Sequence, residues 1–314
     1  MNRIAHHNAQ PTAENPAARS AAGAAADNAR RPVAHVLAEG NGWRLSEFVC
    51  TAGPDVRPFE ERHADVAISA VVEGTFQYRA DTGKALLYPG AVMLGNSGTC
   101  FECGHAHGVG DRCIGFQFAP SLFEEIAASI AGSSRFRFAA AMLPALPALT
   151  VPIVAIQAGA RGASHAALEE RAIDFVENVL RMCAGTTAET AAPHARDERR
   201  IGAALRHIEA NVDDKLDLDA LAGIACMSKY HFLRTFRRAV GVTPYHYLLG
   251  LRLRRAALRL GTTDLPVSTV AFDSGFGDLS TFNHGFRALF GVSPGAYRAQ
   301  ASRPRPGGHR RARR

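Results

Sequence analysis

The 314-residue sequence has no apolar run long enough to span a bilayer, so a membrane-embedded protein is not expected. Its first residues lack the charged stretch followed by an apolar stretch that marks a secretory signal, which predicts a cytoplasmic location. Cysteine is sparse and scattered, at Cys50, Cys100, Cys103, Cys113, Cys183 and Cys226. In a cytoplasmic setting such residues are expected as thiols or metal ligands rather than disulfides. Ser-His-Asp sets, phosphate-binding loops and Walker motifs are missing, which argues against the commonest hydrolase and nucleotide chemistries.

What is present is a globular composition, 47% hydrophobic and 21% charged, in a chain long enough for two domains. The charge is unevenly placed. From Asp197 to Arg314 there are 20 Lys+Arg against 10 Asp+Glu, a net +10, while the preceding 196 residues carry 16 against 19, a net −3. A basic half joined to a near-neutral half suggests a polyanion-binding module attached to a second unit.

Residues 1–32 are rich in Ala, Pro, Asn and Arg and nearly devoid of large apolar side chains, so they are expected to be a disordered tail. From Val33 to about Pro120, short apolar runs (WRLSEFVC, VAISAVVEG, TFQYRA, ALLYPGAVML, IGFQFA) alternate with turn residues, the rhythm of a β-sandwich or small barrel. Within it, ADTGKALLYPG predicts a hairpin followed by a Pro-Gly corner. Helical periodicity begins after Ser121, first in LFEEIAASI and then in HAALEERAIDFVENVLRMC. Leu168, Ala172, Phe175, Val176, Val179 and Leu180 share one face of the latter, able either to cover the β-rich unit or to pair with a second subunit. Residues 184–196 read as a linker.

Everything from Asp197 reads as helix. Ile201, Leu205, Ile208 and Val212 form a first apolar face; Leu216, Leu218, Leu221, Ala222 and Ile224 form a short second one. Helices are then expected over 228–240, 244–260, 267–274 and 278–290, with a short turn at 294–298. One corner occurs twice: FRRAVGVTPYHY over 236–247 and FRALFGVSPGAY over 286–297. In the first copy Ser228 is placed to cap, Phe232, Phe236 and Val240 form a buried stripe, Gly241 stops the helix, and Thr243-Pro244 starts the next. In the second, Asp278 caps, Phe282, Phe286 and Phe290 are expected to be buried, Gly291 stops the helix, and Ser293-Pro294 restarts it. Short helix, tight turn and longer helix, twice, is the layout of a doubled helix-turn-helix. The faces opposite the buried stripes carry Tyr230, Leu233, Arg234, Arg237 and Arg238, with Lys229 at the start of the helix, and Ser280, Asn283, His284 and Arg287 in the second copy. Most of these are side chains able to read base edges or hold phosphate.

The stretch from LAGIACMSKYHFLRTFRRAVGVTPYHYLLGLRLRRAALRL to VSTVAFDSGFGDLSTFNHGFRALFGVSPGAYR strongly resembles the AraC/XylS family of bacterial transcription regulators, over about Asp197–Arg298. The resemblance implies an all-α domain of two helix-turn-helix units joined by the helix at 244–260, with both recognition helices in successive major grooves of promoter DNA. It assigns base-facing roles to Tyr230, Leu233, Arg234 and Arg237 and to Ser280, Thr281, Asn283, His284 and Arg287; His284 stands where the family often has Arg. Arg252, Arg254, Arg255 and Arg259 on the joining helix are open to phosphate contact or to being an ordinary basic face. The seven arginines from Arg298 onward, six of them in a basic tail over 299–314, would add salt-sensitive affinity. Residues 33–183 look like the cupin-type β-barrel with helices that precedes this domain in many relatives, which implies an effector pocket and a dimerisation helix at His165–Cys183. The expected whole is an α+β two-domain regulator, a homodimer whose partners are promoter DNA, RNA polymerase and a small-molecule or metal effector.

CFECGHAHGVGDRC is the densest run of metal-type donors. Cys100, Cys103, His105, His107 and Cys113, with Asp111 between, are suited to zinc or another thiophilic metal, to a thiol-responsive redox site, or simply to lining a pocket and packing. On a strand Cys103, His105 and His107 would share a face. A second C-x2-C is missing. A cupin-type metalloenzyme built on His105, His107 and Asp111 is the rival class; the H-x-H pair follows the Pro-Gly corner instead of preceding it, and His63 has no paired histidine beside it.

Overall fold

The computed structural model describes residues 32–106, 108–131, 136–160, 165–185 and 195–301. Residues 1–31 of the expected N-terminal tail, most of the expected linker, most of the basic tail and His107 lie outside the described residues.

Ten strands build the first half: β1 (Val33–Gly40), β2 (Trp43–Cys50), β3 (Phe59–Arg62), β4 (Val66–Gly74), β5 (Phe76–Ala80), β6 (Gly83–Leu87), β7 (Val92–Gly95), β8 (Cys100–Gly104), β9 (Asp111–Phe118) and β10 (Met142–Leu143). They pair in two antiparallel sheets, ordered β1-β2-β9-β4-β7-β10 and β3-β8-β5-β6. The sheets face a common cavity and are not joined into one closed barrel. The hairpin expected in ADTGKALL is there, turning through Asp81-Thr82 with Ala80 opposite Gly83. β4 shows why an antiparallel strand reads as an almost unbroken apolar run. Val66, Ile68 and Ala70 belong to the core cluster that also contains the helical residues, whereas Ala67 and Ser69 line the cavity, so both of its faces are covered.

Three helices follow: α1 (Pro120–Ala131), α2 (Pro147–Gly159) and α3 (His165–Gly185). The six residues expected on one face of α3 are all buried, in one cluster with Trp43, Leu45, Ile68 and Phe116. The two readings of that stripe are thereby resolved: its apolar face covers the six-stranded sheet, with Phe175 against Phe116 at a ring-centroid distance of 6.2 Å.

Helices α4 (Ala195–Ala210), α5 (Leu218–Ile224), α6 (Lys229–Val240), α7 (Pro244–Thr262), α8 (Val267–Phe272), α9 (Leu279–Phe290) and α10 (Pro294–Ala301) make the second half. Ile201, Leu205, Ile208 and Val212 are buried as expected, and Leu221 and Ala222 anchor α5. Two expectations fail at the margins. Ile224, at the last turn of α5, is 37% exposed, and Phe290 is only half-buried, stacked on Phe286 at the edge of the core. The segment after Ser293 is a helix continuing to Ala301, not a turn ending at 298.

The cores do not divide where the chain does. The first helix-turn-helix shares a cluster with the four-stranded sheet: Phe76, Tyr78, Leu87 and Tyr88 with Leu205, Phe232, Phe236 and Val240. The second shares one with α2, through Val154 among Leu253, Leu260, Phe276, Phe282 and Phe286.

Candidate nucleic-acid interface and intersheet cavity

The two longer helices of the repeated units, α6 and α9, are built alike. Phe232, Phe236 and Val240 are fully buried in α6, and Phe282 and Phe286 in α9. Each helix ends on a left-handed glycine, Gly241 (φ 80°) and Gly291 (φ 74°), whose N–H donates to the carbonyl of Arg237 or Arg287. Thr243 and Ser293 then accept the N–H groups of His246 and Ala296 to start α7 and α10. The starts of the two helices differ. Asp278 accepts both the N–H and the hydroxyl of Thr281, which lower its pKa below the ordinary carboxylate value. Ser228 holds the capping position of α6 without a side-chain capping bond.

Anchoring these stripes inward turns the opposite faces to solvent. Tyr230 (83% exposed), Arg234, Arg237 and Arg238 project from α6, and Ser280, Thr281, Asn283, His284 and Arg287 from α9. Leu233 is half-buried at the edge of the α6 face. Among the described residues, Tyr230, Arg234, Arg237, Asn283, His284 and Arg287 have no side-chain hydrogen bond or ion pair. Besides Thr281, whose hydroxyl is held by Asp278, two residues of the predicted set are engaged elsewhere. Lys229 Nζ lies 2.7 Å from Asp219, whose hydrogen bond raises the lysine pKa, and Arg238 lies 3.2 Å from Asp197.

The four arginines of α7 answer the question left open for them. Arg252 donates to the carbonyls of Val212 (2.7 Å) and Asp214 (2.6 Å), and Arg254 to that of Pro89 at 3.0 Å. Arg255 pairs with Asp213 at 2.9 Å and Arg259 with Asp273 at 3.0 Å. Burial lowers the pKa of Arg252 and Arg254. These side chains tie α7 to its surroundings.

The predicted Cys/His cluster separates. On β8, Phe101 and Cys103 face the cavity between the sheets, so strand alternation turns Cys100 to the other side and removes it from the set. His107 lies outside the described residues. Cys103, His105 and Cys113 do line the cavity, of about 420 Å³, with Asp111 and a residue outside the predicted set, Cys50. Cys50 ends β2 directly opposite Asp111 on β9. No local spacing relates them; only the strand pairing does. His105 Nε2 lies 2.6 Å from Asp111 Oδ2. Burial by itself would lower His105, but hydrogen bonds to Asp111 and Cys50 outweigh it and raise its pKa to about 9. Burial pushes the thiols of Cys103 and Cys113 up. His63 is separate from this group. It is stacked on Phe101 at 4.0 Å and bonded to Tyr78 Oη at 2.8 Å, and burial lowers its pKa to about 4. The two-histidine set of a cupin enzyme is not assembled among the described residues.

The family model described as a helix-turn-helix domain matches residues 221–300. The regulatory protein SoxS of Escherichia coli (strain K12) is 34% identical over 91 residues, which are 29% of this chain and 85% of SoxS. The chain belongs to the AraC/XylS family. Against the probable transcriptional regulator LumQ of Photobacterium leiognathi it is 33% identical over 91 residues, 29% of this chain and 37% of that protein. The chain thus matches only about a third of such a longer relative. Among solved structures, the DNA-binding domain of AdpA in complex with a target DNA is 32% identical and covers 35% of this chain and 98% of that one, with a TM-score of 0.33. The residues that the family model matches lie in the helical half. No helix among the described residues is long and apolar enough to cross a membrane.

Proposed function

We propose that the protein is a sequence-specific DNA-binding transcription regulator in which α6 and α9 enter successive major grooves of promoter DNA. The observation that carries this reading is the pair of exposed faces at Tyr230, Arg234 and Arg237 and at Asn283, His284 and Arg287. They stand on helices with the same stop and the same inward anchor, and they have no partner among the described residues. A surface-exposed guanidinium with no ion pair has a bidentate fork available for guanine or phosphate. The net +10 from Asp197 to Arg314 supplies the general attraction to a polyanion. The likeness to SoxS supports a regulator, and the AdpA domain is itself seen with DNA.

The β-rich half serves as the sensing part in this reading. The cavity between its two sheets is the place for an effector in this reading. Electrophoretic mobility shift with the chain's own upstream region, against a random duplex of equal length at physiological salt, tests the function. Preference for the upstream region is expected; equal affinity would reduce the protein to a general polyanion binder.

A further inference from the structure

The intersheet cavity brings together three donors that no single strand carries. Cys50 closes β2, Asp111 opens β9, and His105 lies in the connection after β8. One donor atom from each lies within 4.8 Å of the other two. Cys50 and His105 are 6% and 5% exposed, so the group sits inside the protein. His105 touches the Asp111 carboxylate on one side and has Cys50 as its other hydrogen-bonding neighbour. Cys113 donates its S–H to the second carboxylate oxygen, Asp111 Oδ1, at 3.4 Å.

We propose that Cys50, His105 and Asp111 form a site for a thiophilic divalent cation of the zinc class, with its fourth position open to the cavity. Zinc bonds of about 2.0–2.3 Å to S, N and O place tetrahedral donors about 3.3–3.8 Å apart, so donors that lie within 4.8 Å of one another close by about 1 Å at most, while the His105–Asp111 contact opens from 2.6 Å. The donor set selects the ion. A thiolate and an imidazole disfavour magnesium and calcium, which take oxygen donors, and favour zinc or a softer divalent metal. Charge balance is also met: a thiolate and a carboxylate neutralise the two positive charges, which a buried site requires. On binding, the Cys50 thiol proton and the proton between His105 and Asp111 leave to solvent. Cys113 then orients the carboxylate without bonding the metal, and Cys100, on the other face of β8, has no part in it. The cavity that the three donors line also holds Phe48, Phe76 and Cys103, and in it water or a donor atom of a small ligand would complete the shell.

The test reads the metal directly and stands apart from any DNA-binding result. Full-length protein, reduced and stripped of metal, is titrated with cobalt(II) and then displaced with zinc(II). One cobalt ion per chain is expected, with a thiolate-to-cobalt charge-transfer band. C100S should keep that band. C50S should lose it, and D111N should bind zinc at least tenfold more weakly. Zinc should raise the melting temperature of the wild type and C100S but not of D111N, a readout that does not depend on C50S folding. Absence of the charge-transfer band in the wild type, or its survival in a folded C50S, overturns the proposal. So does an unchanged zinc affinity in folded D111N.

Discussion

Arg234 and His284 occupy equivalent places fifty residues apart, each on the outward face of its helix. Arginine offers a rigid fork suited to guanine; histidine offers a shorter, single contact. R234A is therefore expected to weaken binding to the upstream region about tenfold to a hundredfold, as loss of one bidentate base contact would. K229A is expected to leave that binding nearly unchanged, because Lys229 is engaged with Asp219. Quantitative footprinting of both variants checks the contrast, and equal losses would show that charge, not position, sets affinity. His63 gives a pH prediction. It is neutral in the fold, with its pKa lowered to about 4 by burial, while the unfolded chain keeps a value of about 6.5. Between those values the unfolded state binds more protons, so His63 removes stability as pH falls from about 6.5 to about 4, by at most about 3 kcal/mol. Asp81 pulls the other way, and Tyr78 and Phe101 are the uncharged groups packed on the ring. Urea melts of H63Q and the wild type across this range should converge toward the acid end. A difference independent of pH would mean that His63 does not titrate in the unfolding equilibrium.

At the scale of elements, most of the helical half could be read from sequence because its signals are local. Capping residues, apolar positions four apart and a glycine stop lie within one or two turns of each other, and α6, α7 and α9 accordingly appear within one or two residues of their expected bounds. The misses have equally physical causes. Ile224 and Phe290 lie at helix ends, where apolar spacing continues after the neighbouring core has run out. β3 and β10 are four and two residues long and carry too little alternation to be recognised. The repeated glycine can be tested in isolation. A methyl group at Gly291 would meet nothing within 4 Å, so G291A reports the cost of the left-handed backbone alone. A loss of about 1–2 kcal/mol in thermal or urea unfolding is expected, and a neutral result would mean that the α9 stop tolerates a different backbone.

For the whole molecule, the decisive feature is the junction between halves. Tyr88, buried beside the Pro-Gly corner, donates to the carbonyl of Val240 at 2.9 Å, one of the orphan acceptors at the end of α6. Its ring lies 5.8 Å from that of Tyr247, Arg254 reaches Pro89, and Glu209 accepts the N–H of Gly74 at 3.0 Å. Y88F should therefore destabilise the protein by about 1–3 kcal/mol, because a buried carbonyl loses its donor. A fragment spanning 195–301 should melt below the full chain, since both of its cores include residues of the first half. Calorimetry of the fragment and of Y88F checks both statements, and an undiminished fragment melting temperature would show that the halves fold independently.

The sequence by itself determined the doubled helix-turn-helix, its glycine stops and the outward residues of each longer helix, because each rests on interactions within a few residues of the chain. It also marked the neighbourhood of the Cys/His group. Only the tertiary structure decided that the apolar face of α3 covers a sheet, that the arginines of α7 hold the molecule together, and that Cys50 joins His105 and Asp111 while Cys100 does not. Those outcomes depend on strand register and on contacts between segments up to 165 residues apart, as in the Arg254–Pro89 bond. Such pairings leave no periodic trace in the chain, since it is the pleat of β8 and the pairing of β2 with β9 that select which side chains meet.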